Sequence, residues 1–406
     1  MHFLRRYSQL YIAILLNASL ASCMVGPNFH QPPAPQTTTY NESKLSSKTV
    51  STRGVGTSGK AQIYVASQDI PAEWWALFHS PEINALVQTG ITNSPNMAAA
   101  YAALRQAQEN VNVQVGNSLF PAFGATTSGE RQLFSSAGFG NVFPPSIFNL
   151  FNTSVNVSYT FDVFGGARRQ IESLVAQVDY QQFQLIAAYL SMTSNIVTTA
   201  VTIASLQAQI QATHELIAVE QGQLDILNKQ YHLGGISLEN VMTQQTLVAQ
   251  ARASLPPLEK NLSQNRHSLS VLVGAYPNGS LPEIKLSALR LPIRLPVTLP
   301  SNMVRQRPDV RASEALLHAA SAQIGVATAN LLPKFTLSGA YGWQAVTSAA
   351  LFGTNTNVWN IAGSITQPLF HGGALLAWLQ QAGHNNRNDC GCAGQHIELL
   401  TSMGVR

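Results

Sequence analysis

A cysteine near the N-terminus, Cys23, ends a tetrapeptide, LASC, whose residue types suit lipoprotein processing. The positively charged Arg5 and Arg6 precede an apolar stretch over residues 11–20, and this order predicts an export signal over residues 1–22. The small residues then lead to a thiol that can carry a diacylglyceryl group. We therefore predict that Cys23 is a lipid anchor with covalent diacylglycerol and palmitate; the alternative is a chance cysteine in an ordinary signal peptide.

Two other groups of residues have types that could do chemistry. Asp309, Arg311 and Glu314 could serve an enzyme, but the pair Pro308–Asp309 is typical of a helix start with an acid in its first turn. Four residues near the C-terminus have the types of metal ligands: His384, Cys390, Cys392 and His396. The histidines are scattered without metal-ligand spacing, and the sequence contains no Gly-rich phosphate loop or nucleophile elbow. We therefore predict no catalytic residue, no metal site and no cofactor besides the lipid.

The composition argues against several other classes of function. Hydrophobic residues make up 45% of the chain and charged residues 10%, whereas charged residues usually make up about 25%. The net charge of +4 comes without a dense Lys/Arg run, so no nucleic-acid partner is implied. Because no stretch of eighteen apolar residues follows the export signal, we expect strands to make any membrane crossing.

Alternation of polar and apolar residues predicts four strands that each have one face of either kind. They cover residues 120–132, 153–163, 333–345 and 357–370. We predict that the polar positions of the second and fourth strands line water: Asn156, Ser158, Thr160, Asp162, Asn360, Ser364 and Thr366. Such strands are long enough to cross a bilayer when tilted. Four strands cannot close a barrel alone and open edges in lipid are costly, so we predict a barrel shared between copies.

A long helix follows the second strand. Residues 167–233 contain no proline and one glycine. Large side chains recur there at intervals of seven: Tyr189, Ile196, Ile203, Ile210, Ile217, Leu224 and Tyr231. Sustained heptads predict coiled-coil packing, and about 65 helical residues would reach roughly 100 Å. We predict this helix over residues 166–231 and, after an LGGIS turn, a second helix over residues 238–273 that is kinked at its two prolines.

The order helix, strand, strand, helix occurs twice along the chain. After a Pro- and Ser-rich lipidated tether over residues 23–70, we predict a first repeat over 71–273 and a linker over 274–300. The second repeat covers 301–382, with a helix over 308–330 and only the start of its last helix. Residues 383–406 lose the heptad pattern, and we interpret them as an aberrant tail from a truncation or a shifted reading frame.

The chain resembles the outer-membrane factor family of the TolC/OprM type, specifically the NodT-like lipoprotein channels of tripartite drug-efflux systems, over residues 20–382. Six stretches carry the resemblance: the LASC box followed by VGPNFHQP, WWALFHSPEINALV, YTFDVFGGARR, HLGGISLENVMTQQT, RQRPDVRASE and QPLFHGG. It implies an α+β membrane protein, a trimer whose twelve-stranded outer-membrane barrel receives four strands per chain and continues into a helical coiled-coil periplasmic tunnel. Of the two helix-strand-strand-helix repeats that it implies, the second is incomplete in this chain.

The resemblance also implies a passive export duct for drugs or other small molecules, not an enzyme. It would be lipid-anchored in the bacterial outer membrane and would dock on a periplasmic adaptor protein and an inner-membrane RND-type pump. The turn between the long helices would be the adaptor-contact tip, with Gly234, Gly235, Ser237 and Asn240. Met24 after Cys23, in place of an aspartate, agrees with outer-membrane sorting. Two alternatives stay open: a truncated nonfunctional relative of the family, and a periplasmic adaptor lipoprotein.

Overall fold

The computed structural model describes residues 24–32, 46–51, 60–66, 71–135, 140, 144–277, 279, 281–297 and 306–387. The export signal, Cys23, Cys390, Cys392 and His396 lie outside these residues. The described chain forms two compact units. The first unit combines the N-terminal segment up to residue 32 with residues 105–181 and 311–387, and the second contains the other described residues up to 310.

Strands of up to 16 residues and helices of up to 67 residues make up the described chain. The strands are β1 Ile63–Ala66, β2 Ala122–Phe134, β3 Ser146–Phe161, β4 Arg294–Val297, β5 Lys334–Ala345 and β6 Asn357–Thr366. The helices are α1 Pro81–Asn93, α2 Pro95–Leu119, α3 Gly166–His232, α4 Leu238–Ala253, α5 Leu255–Leu272 and α6 Pro308–Ala329. Short 3₁₀ helices lie at Trp74–Phe78, Leu286–Ala288 and Ser348–Ala350, and residues 374–387 are helical.

The first unit contains a four-stranded antiparallel sheet with the order β2-β3-β5-β6. Its register pairs even residues with even residues throughout: Asn156 lies opposite Ala340, and Ala340 lies opposite Asn360. Successive side chains of a strand point to opposite faces. All even-numbered residues of the four strands therefore share one face, and all odd-numbered residues share the other.

Two strand ends differ from the predicted bounds by more than two residues. β3 begins at Ser146, seven residues before the predicted start, because residues 146–152 pair with residues 128–134 of β2. The alternation could not show this, since Phe148 and Leu150 place apolar side chains on the even face, where β3 is polar from Asn152 to Thr160. β6 ends at 366 instead of 370; Pro368 follows it and has no N–H group for a ladder.

Helix α3 has 67 residues, so it is about 100 Å long. It contains an 18-residue window with a mean hydropathy of 1.3, which by length and composition alone could cross a membrane; a third of that window is buried. The predicted second long helix is divided at Ser254 into α4 and α5. Pro256 and Pro257 follow directly, and prolines there remove hydrogen bonds to the preceding turn.

In the second unit, α1 and the middle of α3 share a hydrophobic core with the end of α5. Ser80 caps α1 by accepting a hydrogen bond from the Ile83 N–H group. Ile83 and Ile196 are fully buried in this core together with Trp75. The heptad seam predicted from Ile196 and Ile203 therefore packs inside the unit. Strands β1 and β4 of the same unit form a short parallel pair.

In the first unit, the last described helix runs through residue 387, five residues into the stretch that we interpreted as an aberrant tail. That stretch begins GHNNR and contains no proline. A single glycine costs a helix only about 1 kcal/mol relative to alanine. The helix therefore continues past the residue at which the heptad pattern is lost.

Candidate functional site

The even face of the sheet collects six of the seven residues predicted to line water. They are Asn156, Ser158, Thr160, Asn360, Ser364 and Thr366. Their neighbours on this face are also polar: the Thr160 and Thr336 hydroxyl oxygens lie 3.4 Å apart, and those of Thr126 and Ser154 lie 3.2 Å apart. This face therefore presents a largely hydroxyl and amide surface that water can solvate.

The odd face of the sheet is mainly apolar and aromatic, with two polar pairs on β2 and β3, Thr127–Thr153 and Arg131–Asn149. Its large side chains include Phe123, Val155, Tyr159, Phe161, Leu337, Tyr341, Trp343, Trp359, Ile361 and Ile365. On the outermost strand β6, the residues Trp359 and Ile361 are 70% and 74% exposed. A contiguous apolar surface of this kind marks contact with a membrane or another protein. The sheet thus separates a polar surface from an apolar one.

The two edges of this sheet are formed by β2 and β6. Among the described residues, each of these strands pairs with one neighbour, β3 for β2 and β5 for β6. From Ala122 to Leu133 of β2 and along β6, the outer N–H and C=O groups therefore have no strand partner within the described chain. Edge groups of this kind are a template for pairing with another strand, and in lipid they must be paired.

Asp162, which we predicted for the same polar face, is placed differently. It follows the last residue of β3, and its carboxylate accepts hydrogen bonds from the backbone N–H groups of Ala167 and Arg168, at 2.9 and 3.0 Å. Arg168 also donates its Nε to this carboxylate, at 3.2 Å. A carboxylate at the start of a helix satisfies N–H groups that have no partner within the helix. Asp162 therefore joins β3 to α3 instead of belonging to the polar sheet face.

Arg169, the next residue of α3, is almost fully buried, with 1% of its side chain exposed. Its guanidinium donates to Glu172 at 2.7 Å and to three acceptors of the N-terminal segment, which are the Val25 carbonyl, the Gly26 carbonyl and the Asn28 side chain, at 3.1, 3.2 and 2.8 Å. In the sequence, Arg169 stood out only as the last residue of the YTFDVFGGARR stretch. The partners in the segment are more than 140 positions away, so no local pattern could reveal them.

Glu172 connects this arginine to helix α6. Its second carboxylate oxygen lies 3.0 Å from Nε2 of His318, whose ring stacks on Phe29 with the centroids 4.5 Å apart. Burial alone would raise the pKa of Glu172, but hydrogen bonds and charges from Arg169 and His318 outweigh burial and lower the pKa below its ordinary value. The carboxylate is therefore held in its ionised form.

The turn between α3 and α4 contains the predicted tip residues, in the second unit. Gly234, Gly235, Ser237 and Asn240 are all exposed, and Gly234 has a φ of +79°, which favours glycine. Below the turn, Leu224 packs with Val241 and Val248. The Gln244 side chain donates to the Glu220 carbonyl at 3.1 Å. Helices α3 and α4 thus pack against each other next to the turn, and the four tip residues remain accessible to a partner.

The residues considered for an enzyme take structural roles. In the second unit, Arg307 donates to Asp309 at 2.7 and 3.0 Å, and this hydrogen bonding lowers the pKa of Asp309. In the first unit, Arg311 pairs with Glu314 one helical turn along α6, at 3.3 Å. Within the described residues, no group of three or more His, Cys, Asp or Glu side chains is arranged to hold a metal ion.

The described chain has the fold of solved outer-membrane channels. The family model described as "Outer membrane efflux protein" matches residues 86–275 and 299–388. The chain belongs to this family of outer-membrane efflux channels, whose members are transporters and not enzymes.

Curated relatives and a solved structure agree with the family. The pyoverdine export outer membrane protein OpmQ of Pseudomonas putida is 30% identical over 349 residues, which are 83% of this chain and 73% of the relative. Nodulation protein T of Rhizobium leguminosarum bv. viciae is 26% identical over 368 residues, 90% of this chain and 70% of the relative. The outer-membrane channel OprN has the same fold, with a TM-score of 0.80 at 23% identity over 94% of this chain and 81% of OprN.

Proposed function

We propose that this chain is the outer-membrane component of a tripartite efflux pump and acts, as a homotrimer, as a passive export duct for drugs or other small molecules. The observation that carries the proposal is the four-stranded sheet, which has one polar and one apolar face. Its edge strands β2 and β6 each pair with a single strand within the described chain. Edge pairing between copies satisfies the backbone groups of β2 and β6 that lipid cannot solvate.

Three chains supply twelve strands to one barrel. Eight strands already make a barrel whose interior side chains just fill it, so twelve leave an open interior. The polar even face lines that interior, with Asn156 and Thr160 on one strand and Asn360 on another, and the apolar odd face meets lipid. Export through such a duct needs no catalytic residue or cofactor in this chain.

Helix α3 carries the duct from the membrane into the periplasm. Its length of about 100 Å far exceeds the bilayer, whose hydrocarbon core is about 30 Å thick. The exposed tip at Gly234, Gly235, Ser237 and Asn240 would contact the periplasmic adaptor, which in turn connects to an inner-membrane RND-type pump. Cys23 with its lipid would hold the start of the mature chain at the outer membrane. The relative OpmQ is named for pyoverdine export, which supports a small exported molecule.

The test is the native mass of the lipidated, membrane-extracted protein in mild detergent, followed by conductance in a planar bilayer. A trimer with stable single-channel conductance is the expected result. A monomer or an aggregate would contradict the proposal and favour a nonfunctional relative of the family. A periplasmic adaptor lipoprotein would also give no conductance, but it would co-purify with an inner-membrane pump.

A further inference from the structure

We propose that Arg169 and the surface around it form an intramolecular binding site for residues 24–29, which fixes the start of the mature chain at the junction of the sheet and α3. Arg169 is in this sense a positioning residue for the predicted lipid anchor, since Met24 directly follows Cys23 in the sequence. Arg169 and residues 24–29 all lie in the first unit. The attachment itself does not depend on the proposed function. Only its role in positioning a lipid anchor at the outer membrane rests on that function.

The backbone of the segment is held first at the end of the sheet. The Val25 N–H group donates to the Phe164 carbonyl at 3.1 Å, in the turn between β3 and α3. Met24 lies against Gly165, whose φ is +77°, and a Cβ at Gly165 would lie 2.5 Å from Cγ of Met24. No side chain larger than hydrogen fits there without movement. The turn therefore accepts the segment because it lacks a side chain at this position.

The segment then crosses α6 at a point of close backbone approach. Gly26 has a φ of +92°, and a Cβ built on it would collide with the Cα atom of Gly325 in α6. A Cβ on Gly325 would in turn meet the Val25 carbonyl and the stem of Arg169, both at or below 2.9 Å. Glycines on both sides thus let two backbones touch, which a nonspecific surface contact would not require.

Arg169 makes the attachment mutual. Of the four acceptors that its guanidinium has among the described residues, three belong to the segment and the fourth is Glu172. A buried cation is costly unless it is fully paired and hydrogen-bonded. Removal of the segment would leave this guanidinium with Glu172 alone, so the segment stabilises the site as much as the site orders the segment.

The far end of the segment closes the same network. Phe29 stacks on His318 with an angle of 16° between the rings, and His318 contacts Glu172, which accepts from Arg169. Both ends of the segment are therefore tied to one connected set of side chains on α3 and α6. This set of side chains holds residues 24–29 at a defined place beside the sheet. The acyl chains of the anchor would therefore enter lipid at the base of the barrel.

The test is amide hydrogen exchange of the peptide that contains Val25, in the full-length protein extracted in mild detergent. We expect slow exchange in the unmodified protein and at least tenfold faster exchange in a variant with Asn28→Ala and Phe29→Ala. Both substitutions lie on the segment itself, so exchange of α4, in the second unit, should stay unchanged. Arg169→Met should release the segment similarly, and Arg105→Met, at an exposed arginine of α2, is the control.

An unprotected Val25 amide in the unmodified protein, or protection that survives the double substitution, would overturn the proposal. Conductance of the same samples separates it from the proposed function. A conducting trimer with an unprotected segment contradicts the attachment alone. A protected segment in a protein that neither trimerises nor conducts contradicts the export duct alone.

Discussion

Replacement of two neighbouring residues of β6 by arginine should have opposite consequences for insertion. Ile361 lies on the odd face and Ala362 on the even face, and both are exposed within the chain. Both positions are near the middle of the ten-residue strand. Ile361→Arg and Ala362→Arg therefore introduce the same charged side chain at nearly the same depth, on opposite faces of the sheet.

The expected difference follows from the cost of a cation in lipid. An arginine on the lipid face of a barrel costs about 2–4 kcal/mol at the bilayer midplane. At about 1.4 kcal/mol per factor of ten, this cost shifts the folding equilibrium roughly 30-fold to 700-fold for each chain. Arginine at 362 would face water in the duct and should cost little. Since a trimer contains three copies of the strand, the free-energy cost of Ile361→Arg is incurred three times in each assembled trimer.

Urea unfolding of the reconstituted protein in lipid vesicles measures the difference, with trimer yield from membranes as a second measurement. We expect a lower midpoint and a lower yield for Ile361→Arg, and values near those of the unmodified protein for Ala362→Arg. The reverse order would mean that the even face meets lipid. Equal effects would mean that the sheet does not lie in a bilayer with one face outward, and either result refutes the reasoning.

Three further perturbations test other parts of the structure. Because the pKa of Glu172 is lowered in the folded chain, its stabilisation is complete above the ordinary pKa and is lost as pH falls through the lowered one; the protection factor of the Val25 peptide, which corrects for the slower intrinsic exchange in acid, should fall in that acidic window, and Glu172→Gln should abolish this pH dependence. Gly342→Val should destabilise the sheet by about 1–3 kcal/mol in thermal unfolding, since a Cβ would lie 2.6 Å from Cα of Ser154; Gly363→Val, with open space around it, is the control, and equal midpoints would contradict the prediction. Gly234→Ala should destabilise the tip by roughly 1–2 kcal/mol because of its left-handed backbone, whereas Gly222→Ala within α3 should stabilise the helix by about 1 kcal/mol; the same sign in urea unfolding for both would refute the argument.

Local periodicity explains which elements the sequence could predict. The alternation around Asn156 and the heptads through Ile196 each arise from side chains repeating at the period of one element. Both patterns could therefore be read from consecutive residues. The same alternation continues to Val163, two residues past the end of β3, and so includes Asp162, whose carboxylate caps α3. Alternation records which side chains differ in polarity, and it contains no information on where the ladder of hydrogen bonds stops.

Contacts between distant residues explain what the sequence could not predict. Arg169 has no feature in its own neighbourhood that distinguishes it from Arg168, yet one is almost fully buried and the other about one-third exposed. The VGPNF stretch resembles the family, but the resemblance alone did not indicate that it binds Arg169. A glycine pair at Gly26 and Gly325 was the available signal, because close approach of two backbones requires glycine on each side.

The even-with-even register of all three strand ladders has a consequence for how this gene can change length. A one-residue slip within a strand moves every following side chain to the other face. Deletion of a single codon inside β5 would turn Leu337 and Tyr341 toward the duct and expose hydroxyl groups to acyl chains. Loss or gain of two codons would keep each following side chain on its original face of the sheet, and it would only shorten or lengthen the strand. Length variation among descendants of this gene should therefore come in pairs of residues within the strands and in any number in the loops that connect them.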